Sequence, residues 1–340
     1  ESLIPRIPRG GDAMPAPALP PLALAAPAAC AAAAAALANC ALLAALLRLA
    51  KTGLYCIIFQ LAIVDFILLI TTIAPELWTW YHGSWSLGQE ACVAYRGLSV
   101  LASTASVYLI TAIALHTLAT VNLEEKALTK KLKRINRDEE DELRSSRHSL
   151  VASSDTSTPP RTMQVDYRVS DVRVPVGPPS VFVWVLSASV SVPQFIMSTV
   201  VHEGEDTAEC TLQDSSHRLN MHALLVIFTL ILPITIIVIT GILTIIKIKS
   251  VKNKDIDSES VSALRFSILM IIVCCFMSMP RSIMEVYSFH NIDSKRDTAS
   301  LIVISVYLIS TLVRPLLSAF MLQPLRQIFS FNSNLSVDNV

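Results

Sequence analysis

Apolar and polar residues follow one another along this chain in long blocks rather than in single steps. Seven apolar runs stand out, at about 22–49, 54–78, 90–121, 180–201, 221–246, 264–287 and 299–322. A helix rises ~1.5 Å per residue and a bilayer's hydrocarbon core is ~30 Å thick, so each run is long enough to cross as one helix. The pattern predicts an all-α membrane protein, a bundle of seven transmembrane helices. The third run, Cys92 to Val121, carries no charge between Gly97 and Leu115 and holds Ser103, Thr104 and Ser106 at mid-depth. The first is dominated by alanine, a good helix former but weakly apolar, so a low-complexity extension is its competing reading. After the seventh, Pro324 opens a short amphipathic piece expected to lie on the cytoplasmic membrane surface.

The polar blocks set the rest of the organisation. Residues 1–21, rich in Pro, Gly and Arg, are expected to form a disordered extracellular tail, and 331–340 a cytoplasmic one. Residues 122–178 are charged and then Ser-rich, and are expected to be a long disordered cytoplasmic loop with at most a few helical turns beyond Val121. Trp78, Trp80, Tyr81 and Trp85 crowd together after the second run, as aromatic residues do at a membrane–water interface. Lys and Arg gather on one side: Arg48, Lys51, Lys126, Lys130, Lys131, Lys133, Arg134, Lys247, Lys249, Lys252, Lys254 and Arg326. The other side holds mainly acids, with Lys295 and Arg296 as exceptions. The basic side is expected to be cytoplasmic, which puts the N-terminus outside and the C-terminus inside. Cys92 and Cys210 then share the oxidising side, where they are either a disulfide or two free thiols.

Composition sharpens this picture. Only 16% of residues are charged against 53% hydrophobic, well under the ~25% charge of an ordinary soluble domain. Lys plus Arg and Asp plus Glu both number 27, so no net positive field invites nucleic acid. There is no Cys-x-x-Cys, no His-x-x-x-His and no Gly-rich phosphate loop, so no metal, nucleotide or other cofactor is expected. No nucleophile–base set lies at a membrane margin, so an enzyme is not expected. A chain beginning with Glu rather than Met reads as a fragment or a trimmed start.

The ordered markers on the seven runs resemble the rhodopsin-like (class A) G-protein-coupled receptors, over residues 22 to about 330. Asn39 matches that family's first-helix Asn; Leu61-Ala62 and Asp65 match its second-helix Leu-Ala-x-x-Asp. Trp85 and Gly88 match the Trp-x-x-Gly of the first outer loop, and Ser106, Trp184, Pro193, Pro233, Pro280 and Pro315 match later helix markers. The resemblance implies a Cys92–Cys210 disulfide, an extracellular ligand and a heterotrimeric G protein as partners. The Ser-rich inner loop is read either as a site of regulation by kinases or arrestin or as a disordered insertion. Four acids before Cys210 (Glu203, Glu205, Asp206 and Glu209) and Ser99 where amine receptors have Asp look more like peptide receptors, with invertebrate orphan receptors the nearest group. The ligand pocket it implies is lined by Tyr95, Ser99, Arg281, Met284, Glu285, Tyr287 and Tyr307. Arg281 and Glu285 stand four apart, so they either pair with each other or meet ligand.

The departures form their own set. His116-Thr117-Leu118 stands where the family has Asp-Arg-Tyr facing the G protein. Met277-Ser278-Met279-Pro280 replaces Cys-Trp-x-Pro, Arg314-Pro315 replaces Asn-Pro, and Gly241 replaces a Tyr. Asp65 and Arg314 are intramembrane charges, which are functional candidates by default. A guanidinium pairs well with a carboxylate, so Arg314 is expected to neutralise Asp65, with Ser106 as a hydrogen-bond partner and Asn39 nearby, where the family holds a sodium ion. The alternative is an Arg314 that reaches to the cytoplasmic face. Function is thus expected to be ligand binding and signalling at the plasma membrane. The alternative is a seven-helix binding protein that does not couple to G protein, a scavenger or a dimer partner. A channel or transporter would need a polar stripe that the fifth and sixth runs lack.

Overall fold

The computed structural model describes residues 21–49, 53–149, 174–202, 208–213, 223, 225–251, 258–290 and 298–329. The expected tails and the Ser-rich stretch 150–173 lie outside these residues, as do Glu203, Glu205 and Asp206. The helices are α1 Pro21–Arg48, α2 Gly53–His82, α3 Gly88–Ser149, α4 Gly177–Met197, α5 Ile227–Ser250, α6 Glu259–Met284 and α7 Thr298–Met321. All seven contain a stretch long and apolar enough to cross a membrane. A short helical piece at 323–329 follows α7. Between α4 and α5 the chain forms an antiparallel hairpin, β1 Ser198–His202 and β2 Ala208–Leu212, with Val200 paired to Cys210.

α3 is the axis of the bundle. Its most apolar window is 72% buried, against 22% for those of α4 and α5. Ala102, Ala105, Leu109, Ile110, Ile113 and Ala114 are fully buried along it. Small residues there let neighbouring helices approach closely, which is how helices associate when lipid is as apolar as their own side chains. Several buried hydroxyls are satisfied within their own helices: Thr111 donates to Val107 O, Thr244 to Thr240 O and Ser267 to Leu264 O. With no water in the bilayer core, such back-bonding is the cheapest partner available.

Prolines shape three of the helices. A wide π turn lies at Leu69–Ile73, at Ile227–Ile231 and at Cys274–Ser278, just ahead of Pro75, Pro233 and Pro280. A proline ring clashes with the carbonyl four residues back and brings no N–H to bond it. Those carbonyls belong to Thr71, Thr229 and Phe276, and each lies inside its own π turn, where the widened backbone absorbs the clash. Pro315 in α7 is handled differently. The carbonyl it deprives is that of Thr311, and Asn39 Nδ2 of α1 donates to it at 3.0 Å. One side chain thereby ties α1 to α7 and satisfies a backbone group that lipid could not.

α3 runs well past its apolar run, to Ser149, so the first half of the stretch expected to be coil is helical. Its sequence explains this. From Asn122 to Thr158 there is neither Gly nor Pro, and 122–144 is rich in Leu, Glu, Lys and Arg, which favour helix. At that basic end Lys247 of α5 pairs with Glu125 of α3. Val121 and Leu264 pack beside it with Ile248 and Val261.

Candidate functional site

Two ionic clusters stand out among the described residues, one near the disulfide end and one deeper in the bundle. The opposite end from the basic one is closed by the Cys92–Cys210 disulfide, which pins β2 to the start of α3 with 5.5 Å between the Cα atoms. Trp85 belongs to this clasp. Its backbone N–H donates to Ala208 O at 2.7 Å and its indole N–H to Gly88 O at 2.9 Å. Gly88 has φ +84°, a left-handed turn that a side chain would strain, so the Trp-x-x-Gly pair is a local device for starting α3.

Just inside this disulfide end lies the outer cluster. Arg281 of α6 grips Glu76 of α2 with both terminal nitrogens, one of them at 2.7 Å from Oε2. Tyr95, one turn along α3 from Cys92, donates its hydroxyl to Glu76 Oε1 at 2.8 Å. The Arg281 guanidinium lies over the ring of Tyr307 of α7, 5.3 Å from its centroid. Trp85 backs Tyr95, with 5.3 Å between ring centroids. Of the residues expected to line a pocket, the structure brings Tyr95, Arg281 and Tyr307 together. Ser99 is buried one turn below Tyr95 and Met284 is half-buried. Glu285 and Tyr287 lie on the helical continuation of α6 to His290, and their side chains are outside the described set. The partner gripped by Arg281 is Glu76, which sequence reasoning missed. Its signal was there: an acid beside Pro75, still within an apolar run.

The inner cluster lies deeper and joins four helices. Arg314 of α7 bonds Asp65 of α2 through Nη1, which also donates to Ser106 Oγ of α3 at 2.7 Å. Nη2 donates to Ser278 Oγ of α6 at 2.7 Å. Arg314 and Asp65 are 2% and 1% exposed, so Arg314 does not reach a membrane face. Asn39 is fully buried and bonds α7 one turn away, at Thr311 O. Ser278 is the second residue missed. It occupies the position of the family's tryptophan and lies within the π turn ahead of Pro280. Two departures from the family pattern, Ser278 and Arg314, are therefore in contact with each other. Among described residues no group of three or more His, Cys, Asp or Glu could hold a metal.

The segment at 116–118 does not form a charged or open surface. Thr117 is 2% exposed and donates to Ala114 O at 3.0 Å. His116 is half-buried, and a Cβ added at Gly53 would come within 2.6 Å of its Cε1, so the ring lies flush on the α2 backbone.

Seven membrane-capable helices, six of them arranged about α3, with a disulfide from the start of α3 to the hairpin after α4, define a multi-pass membrane protein. The family model of the 7 transmembrane receptor (rhodopsin family) matches residues 177–318, from α4 through most of α7. That match covers less than half of the chain, and with the seven helices it makes the chain similar to the rhodopsin-family receptors. No curated protein matches it. The match begins after the polar stretch that follows Val121 and covers three of the altered positions, Gly241, Ser278 and Arg314.

Proposed function

We propose that this receptor binds an extracellular peptide at its disulfide end and signals across the plasma membrane through a rearrangement of α6 against α2 and α3. The observation that carries the reading is the Glu76–Arg281 pair with Tyr95 and Tyr307. It places a fixed anion, a fixed cation and two aromatic faces on four helices, one turn inside the disulfide. A ligand group that competes for either charge changes the contact between α2 and α6. Exposed Glu209 and the acids Glu203, Glu205 and Asp206 favour a basic peptide by charge complementarity. In this reading the disulfide end is extracellular and the basic end cytoplasmic, as the Lys and Arg distribution favours.

A second reading keeps ligand binding and drops G-protein coupling. Buried, uncharged Thr117 favours it, because it stands where the family presents an arginine to the G protein. The test is ligand-independent G-protein dissociation in cells, comparing the native chain with a His116→Asp, Thr117→Arg, Leu118→Tyr variant. Dissociation by the native chain supports coupling through another contact. Dissociation by the variant alone supports the non-coupling binder.

The inner cluster supports a receptor that takes no sodium. The Arg314 guanidinium already sits against Asp65, and a tethered cation competes with Na⁺ at close range without dissociating. Native stability independent of NaCl against KCl, and sodium stabilisation gained by Arg314→Asn, are the expected results. Sodium stabilisation of the native chain would sink this part.

A further inference from the structure

A second arginine lies at the disulfide end, on α3. Positions 92, 96, 99 and 103 follow at steps of four, three and four residues, so Cys92, Arg96, Ser99 and Ser103 share one face of the helix. Cys92 is fully buried where it bridges to Cys210, and Ser99 is 5% exposed. Arg96 stands between them, about 6 Å along the axis from Cys92. Helical side chains lean toward the N-terminus, so its guanidinium is carried back toward the level of the disulfide. It is within electrostatic reach of the Tyr95 hydroxyl, which places it beside the outer cluster.

Unlike Arg281 and Arg314, Arg96 has nothing to bond. It is half-buried, no carboxylate pairs with it among the described residues, and its Nε is buried without a hydrogen-bond partner. Glu76 is engaged on both oxygens by Arg281 and on Oε1 by Tyr95 as well. Glu90 and Glu209, at the same end, are exposed. A charge with one N–H withdrawn from water and left unbonded is costly, and a charge within a membrane-capable helix is a functional candidate by default. Glu76 and Arg281 cancel each other, so Arg96 leaves the outer cluster with a positive charge in excess.

We propose that Arg96 anchors a carboxylate of the ligand, through its Nε and one terminal nitrogen. This rests on the reading that ligand enters at the disulfide end. Nε and the neighbouring Nη form a side-on fork whose two N–H bonds match the two oxygens of a carboxylate. A single cation suits a monoanion, whereas a phosphate dianion would keep an uncompensated charge. The ligand is then dipolar, with its basic part toward the hairpin acids and its carboxylate inside the disulfide. In a peptide that carboxylate is either the C-terminus or an acidic side chain.

The test uses the purified full chain in phosphatidylcholine nanodiscs and three small probes at millimolar concentration. N-acetylphenylalanine carries a C-terminal carboxylate, the α-amide of N-acetylglutamate carries a side-chain carboxylate, and N-acetylphenylalaninamide carries none. Thermal stabilisation against probe concentration gives an apparent Kd. Saturable stabilisation by at least one acid, and none by the neutral amide, is the expected result, and the better acid identifies which carboxylate is read. Arg96→Gln should weaken that acid about tenfold, as loss of a charge-assisted pair does. Arg96→Lys keeps the charge without the fork and should weaken it less. Arg265→Gln, at an exposed site on α6, should change nothing. Without probe, Arg96→Gln should melt no lower than the native chain, because no internal partner is lost. A melting point several degrees lower would reveal such a partner and overturn the proposal. So would acids that stabilise the native and Arg96→Gln chains alike, stabilisation that chloride or acetate reproduces, or no stabilisation by either acid. If Arg281→Gln rather than Arg96→Gln abolished the effect, the carboxylate would sit on the Glu76–Arg281 pair. This inference would then fall while ligand binding at the disulfide end stood.

Discussion

The two buried arginines among the described residues make different joints. Arg281 spends both terminal nitrogens on one carboxylate, a two-pronged grip between α6 and α2 whose members are 10% and 12% exposed. Arg314 spreads its donors over Asp65, Ser106 and Ser278, on three helices, from a position only 2% exposed. The carboxylates differ too. Glu76 accepts on both oxygens, whereas Asp65 Oδ2 and Arg314 Nε are buried and make no hydrogen bond. A bidentate pair near the surface is one contact, and a competitor of like chemistry can take it. A hub deep in the bundle is several contacts, and losing its centre strands every partner at once. Depth and branching thus separate a joint that can exchange partners from one that can only hold.

The largest effect should come from removing the hub. Arg314→Leu leaves the Asp65 carboxylate without its cation in a region that water does not reach. A cost of about 3–5 kcal/mol is expected, the range for breaking a buried ion pair by deleting one partner. Thermal unfolding of the purified chain in detergent would register it. The double variant Asp65→Leu, Arg314→Leu should recover most of the loss, because a pair replaced by apolar residues leaves no stranded charge. A double variant no more stable than Arg314→Leu would mean that Arg314 acts through Ser106 and Ser278 rather than through Asp65.

The outer pair should cost less and do more to function. Arg281→Gln loses the bidentate grip but leaves Glu76 with the Tyr95 hydroxyl and nearer to water. A loss of about 1–3 kcal/mol is expected. The reversed pair, Glu76→Arg with Arg281→Glu, should restore stability while altering any ligand response, since the charges have exchanged helices. Restoration of both together would argue that the pair is a structural strut and that ligand binds elsewhere.

Ser278→Ala comes next and sharpens the contrast within the hub. It removes one of three arms while Asp65 and Ser106 remain. About 1–2 kcal/mol is expected, one hydrogen bond to a charged donor. Because this arm alone joins the hub to α6, its loss should also raise basal α6 mobility, read by hydrogen exchange around the Cys274–Ser278 turn. Unchanged exchange there would show that the proline and its π turn, not the arginine, set the position of α6.

These two clusters were not equally legible in the sequence. Charges within apolar runs are conspicuous, so the sequence alone suggests pairing Asp65 with Arg314. Ser278 was passed over because it registered as a missing tryptophan rather than as a hydroxyl able to serve Arg314. Glu76 was hidden by its place at the end of a run, where an acid is ordinarily a solvated margin. Arg281 then had only Glu285 as an obvious partner, because helix periodicity reveals neighbours along one helix and not across a bundle. The helical extension of α3 to Ser149 was masked by its charge, although the absence of Gly and Pro was the better guide. The hairpin was hidden for a related reason. STVVH and AECTL are short, and their pairing depends on a disulfide partner more than a hundred residues away.

The smallest expected effect lies outside both clusters and calibrates them. Lys247 of α5 and Glu125 of α3 form an ion pair at the basic end, 13% and 23% exposed. It is a single contact between a flexible ammonium and a carboxylate, nearer to water than either arginine joint. Partial hydration and salt screening reduce its worth, so Lys247→Met should cost about 1 kcal/mol or less, with a difference that shrinks as NaCl rises. Methionine keeps an unbranched apolar stem of similar length. If this variant lost as much as Arg281→Gln, exposure would not be the variable that ranks these joints. The continuation of α3 beyond the membrane would then depend on the Lys247 contact rather than on its own helix-forming sequence. Circular dichroism would separate those two cases, because only the second predicts a loss of helix content along with the loss of stability.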